Sequence, residues 1–329
     1  MEVERERAEA VATAAFEACG IDADDAVTTA RVLVSADARG KHSHGLRRLP
    51  RFVRGIEHGN VDPDGEIAIQ RDHGATATLS GGSRLGPVVA TDAMAMACAR
   101  AGEFGIGAVG VNETNHLGML GYYTEMARQD GYVALAMTNT EPAMPPHGAA
   151  EPILGTNPIA IGLPTEPAFN LDMSTSAISR GAVSRASDRG ESLPEGVAIS
   201  ADGEPTTDPD AALDGSIRPF GGAKGSGLAI AVEVLAGGLV GASMGRDVTG
   251  TYHTADPCTK GDLFVAIDPV ALGGEDAVER IETFLTGITA LETAAGFDSV
   301  RLPGQARPTG EPVHVDDETW AEVRSLADR

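Results

Sequence analysis

The sequence predicts an α/β protein whose two chain ends both contribute helices. Three observations carry this reading. Apolar residues recur at helical spacing near both ends, at Ala8, Val11, Ala12, Ala15 and Phe16 and again at Trp320, Val323 and Leu326. Between about residues 60 and 140, short apolar strands alternate with helical stretches. The GxGxxG string Gly105-Ile106-Gly107-Ala108-Val109-Gly110 follows a helix and is itself a strand. A dinucleotide fingerprint needs that string between a strand and a helix, so that the helix N-terminus meets the pyrophosphate. The glycines here read instead as close packing across a sheet, and a Rossmann site is set aside.

The elements follow in order. The first helix carries the Ala8–Phe16 stripe and ends at Gly20. Asp22 to Ala38 repeats the pattern with Val27, Ala30 and Val34, opening on aspartates that suit a helix N-terminus and stopping at Gly40. A short third helix covers about Leu49 to Ile56. Asn60, Pro63 and Gly65 mark turns, and Glu66 to Gln70 with Ala75 to Leu79 read as a hairpin. Pro87 opens a helix to about Arg100, Ile106 to Val111 is a strand, Gly118 to Gln129 a helix, and Tyr132 to Thr138 a strand. From about 140 to 220 the chain is loop-rich. Short strands are expected at Ile159 to Leu163 and Asn170 to Met173, and an exposed polar excursion at Asp188 to Asp210. A buried helix is expected near Ser226 to Leu239 and a strand at Leu263 to Ile267. Val278, Ile281, Leu285 and Ile288 stripe a long helix, and the last helix, through Trp320, packs back on the first ones.

Composition narrows the function. The 329 residues carry a formal charge of −23, from 48 acidic and 25 basic side chains, and Lys41, Lys224 and Lys260 are the only lysines. No basic face is available for nucleic acid, and an anionic membrane surface would repel the chain. Dense carboxylates with little lysine read as adaptation to high salt, which screens their repulsion. Cys19, Cys98 and Cys258 are too widely spaced for a disulfide framework. The charged N-terminal residues do not form a signal peptide, and the apolar stretch Leu228 to Val240 is interrupted by glycines and Glu233 and is short for a bilayer. A soluble cytoplasmic protein is expected.

Two glycine-flanked motifs carry chemistry. Asn115-His116-Leu117-Gly118 joins a strand to a helix, the junction where α/β folds place functional groups. Ser43-His44-Gly45-Leu46-Arg47-Arg48 lies at a helix end. Imidazole titrates near neutrality and guanidinium grips carboxylate with two prongs, so the pair suits a small acid whose proton must move. His44 and Arg48 are four residues apart, on one face if a helix starts there, and Arg47 competes with Arg48 for that role. Lys224, in Gly221-Gly222-Ala223-Lys224-Gly225, suits a phosphate or a ribose hydroxyl, or is a solvated loop residue. Asp172-Met173-Ser174-Thr175-Ser176 ends a strand with hydroxyls and N–H groups that suit an anion or amide, or a cap.

Together these motifs resemble the malate/L-lactate dehydrogenase family, which includes ureidoglycolate and L-sulfolactate dehydrogenases and is separate from the Rossmann-type enzymes. The matching stretches run from Asp37-Ala38-Arg39-Gly40 and Ser43-His44-Gly45 through Asn115-His116-Leu117-Gly118, Met137-Thr138-Asn139 and Gly155-Thr156-Asn157-Pro158 to Pro303-Gly304-Gln305. The resemblance implies a non-Rossmann mixed-sheet cofactor domain plus a helical domain built from both chain ends, with boundaries at 1–75 plus 307–329 and at 76–306. It implies an NAD(P)-dependent 2-hydroxy acid dehydrogenase, acting on malate, lactate or sulfolactate, and a homodimer. His116 becomes the acid/base, and His44 and Arg48 hold the substrate carboxylate. Thr140, Ser174, Thr175, Ser176 and Lys224 contact the NAD or NADP cofactor, with Gly304, Gln305 and Ala306 closing over it. Departures from the family pattern are His42 for a common Asp, Phe52 for Tyr, Ala182 for Lys and His147 for an aromatic residue; they bear on which substrate is used.

Three alternatives stand beside this reading. An NADPH-dependent cyclic imino acid reductase would use the same parts. A metal-dependent hydrolase would gather His42, His44, His116 and His147 around one ion. A binding protein would hold a ligand without turning over a cofactor.

Overall fold

The computed structural model describes residues 1–251, 256–305 and 312–329. β1 (Glu2–Val3) leads into α1 (Arg5–Glu17) and α2 (Ala23–Ala38). Two single turns of 3₁₀ helix, His42–His44 and Leu46–Arg48, connect α2 to α3 (Leu49–Glu57). A hairpin of β2 (Ala68–His73) and β3 (Thr76–Ser80) precedes α4 (Gly86–Phe104), β4 (Ile106–Asn112), α5 (Leu120–Gln129) and β5 (Val133–Thr138). β6 (Ile159–Leu163), β7 (Phe169–Met173) and α6 (Arg180–Arg189) follow. Next come β8 (Ala198–Ile199), β9 (Pro205–Thr206), α7 (Pro209–Asp214), β10 (Ser216–Ile217) and α8 (Ala223–Val232). The chain closes with β11 (Asp262–Ile267), α9 (Pro269–Gly273), α10 (Ala277–Thr289), β12 (Val313–His314) and α11 (Asp317–Ala327).

Seven strands form one mixed sheet in the order β2-β3-β4-β11-β5-β6-β7. Only the β3–β4 pair is parallel. β11 runs antiparallel between β4 and β5, with Phe264 opposite Val109 on one side and Ala136 on the other. Helices α4 and α5 bring Met94, Ala97, Leu120 and Tyr123 into a core with Val109, Ala136 and Phe264. The GxGxxG string serves this packing. A Cβ at Gly107 would lie 2.1 Å from Ala97 O, and one at Gly110 would lie 2.6 Å from the Val240 side chain. Gly105, at φ +81°, ends α4 in the left-handed conformation that glycine tolerates.

A second core joins the chain ends. Phe16 of α1, Leu33 of α2, Phe52 of α3 and Trp320 and Val323 of α11 pack together. β1 pairs antiparallel with β12, Val3 opposite Val313, and ties the ends side by side.

Two expectations need correction. Asp188 to Asp210 is not wholly an exposed excursion: Leu193, Ala198 and Ile199 are buried, and β8 pairs with both β9 and β10 in a small three-stranded sheet. The buried helix near Ser226 to Leu239 is α-helical only to Val232, continues as a π-helical turn over Glu233–Gly237, and is buried on one side. Ala229, Val232 and Ala236 pack inward, while Ile230, Val234, Leu235 and Leu239 are exposed. Periodicity could not show this, because the segment is apolar on every face.

Candidate active site

The end of α2 shapes the first half of the site. Asp37 is buried, and its Oδ2 accepts the Leu46 N–H at 2.7 Å while Oδ1 lies 2.9 Å from His42 Nδ1. The turn must approach this carboxylate closely: a Cβ at Gly45 would sit 2.2 Å from Asp37 Oδ1. Arg48 Nε donates to Ser43 O at 2.7 Å, and Ser43 Oγ lies 2.8 Å from His44 Nδ1.

The second half follows β4. Asn115 uses its amide to donate to Ser83 O and Arg84 O, at 2.7 and 3.0 Å, and so holds the loop itself. Gly118, at φ +74°, turns its N–H onto His116 Nδ1 at 2.9 Å. A neutral His116 ring with a donor on Nδ1 carries its own hydrogen at Nε2. The Phe52 ring meets His116 edge-on at 6.3 Å between centroids. The His44 and His116 rings lie side by side, with Arg48 among the residues lining the same cleft.

Charge around this pair is lopsided. Burial pulls the His44 imidazole down to about 4, with Arg48 and Lys41 adding to the shift and Asp172 opposing it. Burial also holds His116 well below its ordinary range, reinforced by Arg48, His44, Lys260 and Arg51. Both rings are therefore neutral at neutral pH.

The histidines open onto a cleft of about 1260 Å³. Eight of the chain's 25 Lys and Arg residues line it, against five of its 48 acidic residues. A strongly acidic protein thus concentrates cations at one concavity, where low-dielectric walls focus their field on an anion. Thr140, Thr156, Ser174 and Ser176 set hydroxyls along the walls, the Ser174 and Ser176 oxygens 2.8 Å apart. Hydroxyls and cations in a space of this size fit the sugars and phosphates of a nicotinamide dinucleotide beside a small acid.

Not every expected residue reaches the cleft wall. Thr175 is buried, its hydroxyl donating to Thr156 O at 2.9 Å. Lys224 is exposed in the first turn of α8 rather than in a loop. Gly304 packs against the backbone of Asn170, and Gln305 Oε1 accepts the Leu302 N–H at 3.0 Å. Ala306 lies outside the described residues. Nor are the four histidines of the metal reading brought together. His42 turns to Asp37 and His314, while the His147 ring lies near Gly222. Among the described residues no three His, Cys, Asp or Glu side chains are grouped to hold a metal.

Two cleft residues escaped sequence reasoning. Lys41 Nζ lies 2.7 Å from Asp172 Oδ2. Lys260, nearly fully buried, meets both oxygens of the fully buried Asp262 at 2.6 and 2.7 Å. The available signal was rarity: two of the three lysines line this cleft.

The sequence profile of the malate/L-lactate dehydrogenase family matches residues 3–323. The chain is 42% identical to the L-sulfolactate dehydrogenase of Methanothermobacter thermautotrophicus, over 91% of this chain and 88% of that one. It is 32% identical to the ureidoglycolate dehydrogenase (NAD(+)) of Escherichia coli, over 87% and 82%. The solved sulfolactate dehydrogenase of Methanocaldococcus jannaschii superposes with a TM-score of 0.94 at 38% identity, covering 100% of this chain and 97% of that one.

Proposed function

The chain belongs to the malate/L-lactate dehydrogenase family, and from that membership we propose that its cleft interconverts a small 2-hydroxy acid and the corresponding 2-oxo acid. Members of the family use NAD or NADP. The observation that carries the proposal is the placement of His44, Arg48 and His116 at one cleft whose walls bear Thr140, Ser174 and Ser176.

In this reading Arg48 and His44 hold the substrate carboxylate, which places the hydroxyl-bearing carbon near His116. A nicotinamide held there would supply the hydride acceptor for oxidation and the hydride donor for reduction. His116 takes the hydroxyl proton in oxidation and becomes imidazolium, and in reduction that imidazolium, protonated beforehand, gives the proton back. With Gly118 on Nδ1 the resting ring meets a 2-oxo acid as an Nε2–H donor. It receives a proton at Nε2 only after its hydrogen shifts to Nδ1 and the Gly118 contact opens. The hydroxyls of Thr140, Ser174 and Ser176 would hold the cofactor, with Thr175 bracing the strand end that carries two of them, and Lys224, exposed in the first turn of α8, would meet only a part of the cofactor that projects from the cleft. Gly304 and Gln305 would cover it where it leaves the cleft. Malate, lactate and sulfolactate are the candidate substrates, and the cation-rich walls favour those with two negative charges.

The same reading extends to organisation. Residues 1–75 with 307–329 form the helical domain, and 76–306 the cofactor and substrate domain. The exposed apolar side of the segment 230–239 is the face on which a homodimer forms. The enzyme works in the cytoplasm, and its acidic surface is an adaptation to high salt.

The test is a panel of 2-hydroxy and 2-oxo acids, with one cyclic imino acid, offered with each nicotinamide cofactor at low and high salt while absorbance of the reduced cofactor is followed. Turnover of a hydroxy acid supports the reading. Turnover of the imino acid alone, or of nothing, refutes it.

A further inference from the structure

We propose that Glu233 is a positioning residue for the cofactor cleft: its carboxylate orients the amides of Asn139 and Asn157, which in turn fix the backbone at Thr140 and Gly261. This rests on the reading of the cleft as a nicotinamide site.

Glu233 is 5% exposed and stands where α8 gives way to the π-helical turn Glu233–Gly237. Such turns occur frequently at functional sites. Its Oε1 accepts from Asn139 Nδ2 at 3.0 Å and from the Gly245 N–H at 2.9 Å, and its Oε2 accepts from Asn157 Nδ2 at 2.6 Å. Among the described residues no lysine or arginine pairs with it. Burying a carboxyl group on neutral donors alone costs stability unless every partner is well aimed.

What this arrangement secures is direction. A carboxylate only accepts, so each asparagine must turn its NH₂ toward Glu233 and its carbonyl away. The Asn157 carbonyl then accepts the Thr140 N–H at 3.2 Å, and the Asn139 carbonyl accepts the Gly261 N–H at 2.8 Å. The remaining N–H of each amide is also spent, on Ala229 O at 3.0 Å and on Ser243 O at 2.9 Å. Asn157 adopts φ +34° in making these bonds. Thr140 lines the cleft, and so does Lys260, the neighbour of Gly261. One acceptor side chain thus sets two points of the wall. It does so from the helix whose first turn holds Lys224.

Glu233→Gln tests this. The new NH₂ faces the NH₂ of Asn157, and the conflict is relieved when Asn157 turns over and presents a donor to the Thr140 N–H. The dissociation constant of NADH or NADPH, whichever the unaltered enzyme binds, is read by nicotinamide fluorescence. It is expected to rise about tenfold or more, while kcat at saturating cofactor stays within about threefold, because His116 and Arg48 are untouched. Glu233→Asp keeps a side chain that only accepts and leaves both asparagine amides as they are, and this second variant is expected to bind the cofactor within about threefold of the parent. An unchanged dissociation constant in Glu233→Gln overturns the proposal, as does a Glu233→Asp variant that binds no better than Glu233→Gln. Failure of both variants to fold also overturns it, since Glu233 would then serve the core rather than the cleft. If the parent binds neither cofactor, the reading of the cleft itself falls.

Discussion

The rings of His44 and His116 lie 5.7 Å apart, centroid to centroid, with their planes tilted by 40°. One comes from the turn after α2 and the other from the end of β4, and each has its Nδ1 engaged, by Ser43 Oγ and by the Gly118 N–H. Among the described residues neither Nε2 has a hydrogen-bond partner, which is the arrangement required if one imidazole orients an acid while the other exchanges its proton.

Replacing His116 by alanine is expected to lower turnover by about 10²–10⁴-fold, the usual worth of a positioned acid/base. Cofactor affinity should be unchanged, as titration of nicotinamide fluorescence would reveal. A variant retaining parental turnover removes His116 from the chemistry.

Arg48→Ala is expected to raise the KM for the acid by about tenfold or more, the worth of a charge-assisted hydrogen bond, without weakening cofactor binding. Steady-state kinetics with each reactant varied in turn separates the two. Weak cofactor binding with an ordinary KM would move Arg48 out of the substrate pocket.

The depressed imidazoles make two statements about pH. Because His116 is neutral well below pH 6.5, the acid limb of kcat/KM for oxidation should fall below that value. A limb at or above 6.5 contradicts the assignment. His44 titrates at about 4 when folded and near 6.5 when unfolded, so between those values the unfolded chain binds the extra proton. Stability from this group is full above 6.5 and declines as pH falls toward 4. Urea unfolding of the parent and of His44→Gln across that window should show the parent losing more.

Lys260→Met strands Asp262 in the core without its counter-charge, and should cost about 3–5 kcal/mol in urea unfolding. Converting Asp262 to leucine in the same chain should recover most of that loss. Equal destabilisation in both variants would mean that the pair contributes packing rather than charge compensation.

The sequence was most legible where local pattern and structure share a scale. The stripes of α1, α2 and α11, the strand character of Ile106 to Val111, and the glycines that pack rather than bind could all be read from neighbours a few residues apart. The insertion of β11 between β4 and β5 could not, because nothing near Leu263 records which distant strands it will join. The inward and outward sides of 226–239 were equally silent, and Glu233 read as a mere interruption of an apolar run. Within the site, His44, Arg48 and His116 stood out through their residue types. Asp37 featured only as part of a motif, because its work is to accept hydrogen bonds from Leu46 and His42 and that depends on the turn closing.

Closure of the helical layer has a kinetic corollary. The two-residue ladder between Glu2–Val3 and Val313–His314 joins segments far apart in the sequence, and α11 lies against α1 beside it. During synthesis the first helices leave the ribosome long before their partners exist. Phe16 and Leu33 must wait for Trp320 and Val323, so the core beneath the turn bearing His44 and Arg48 is complete only once α11 has been made.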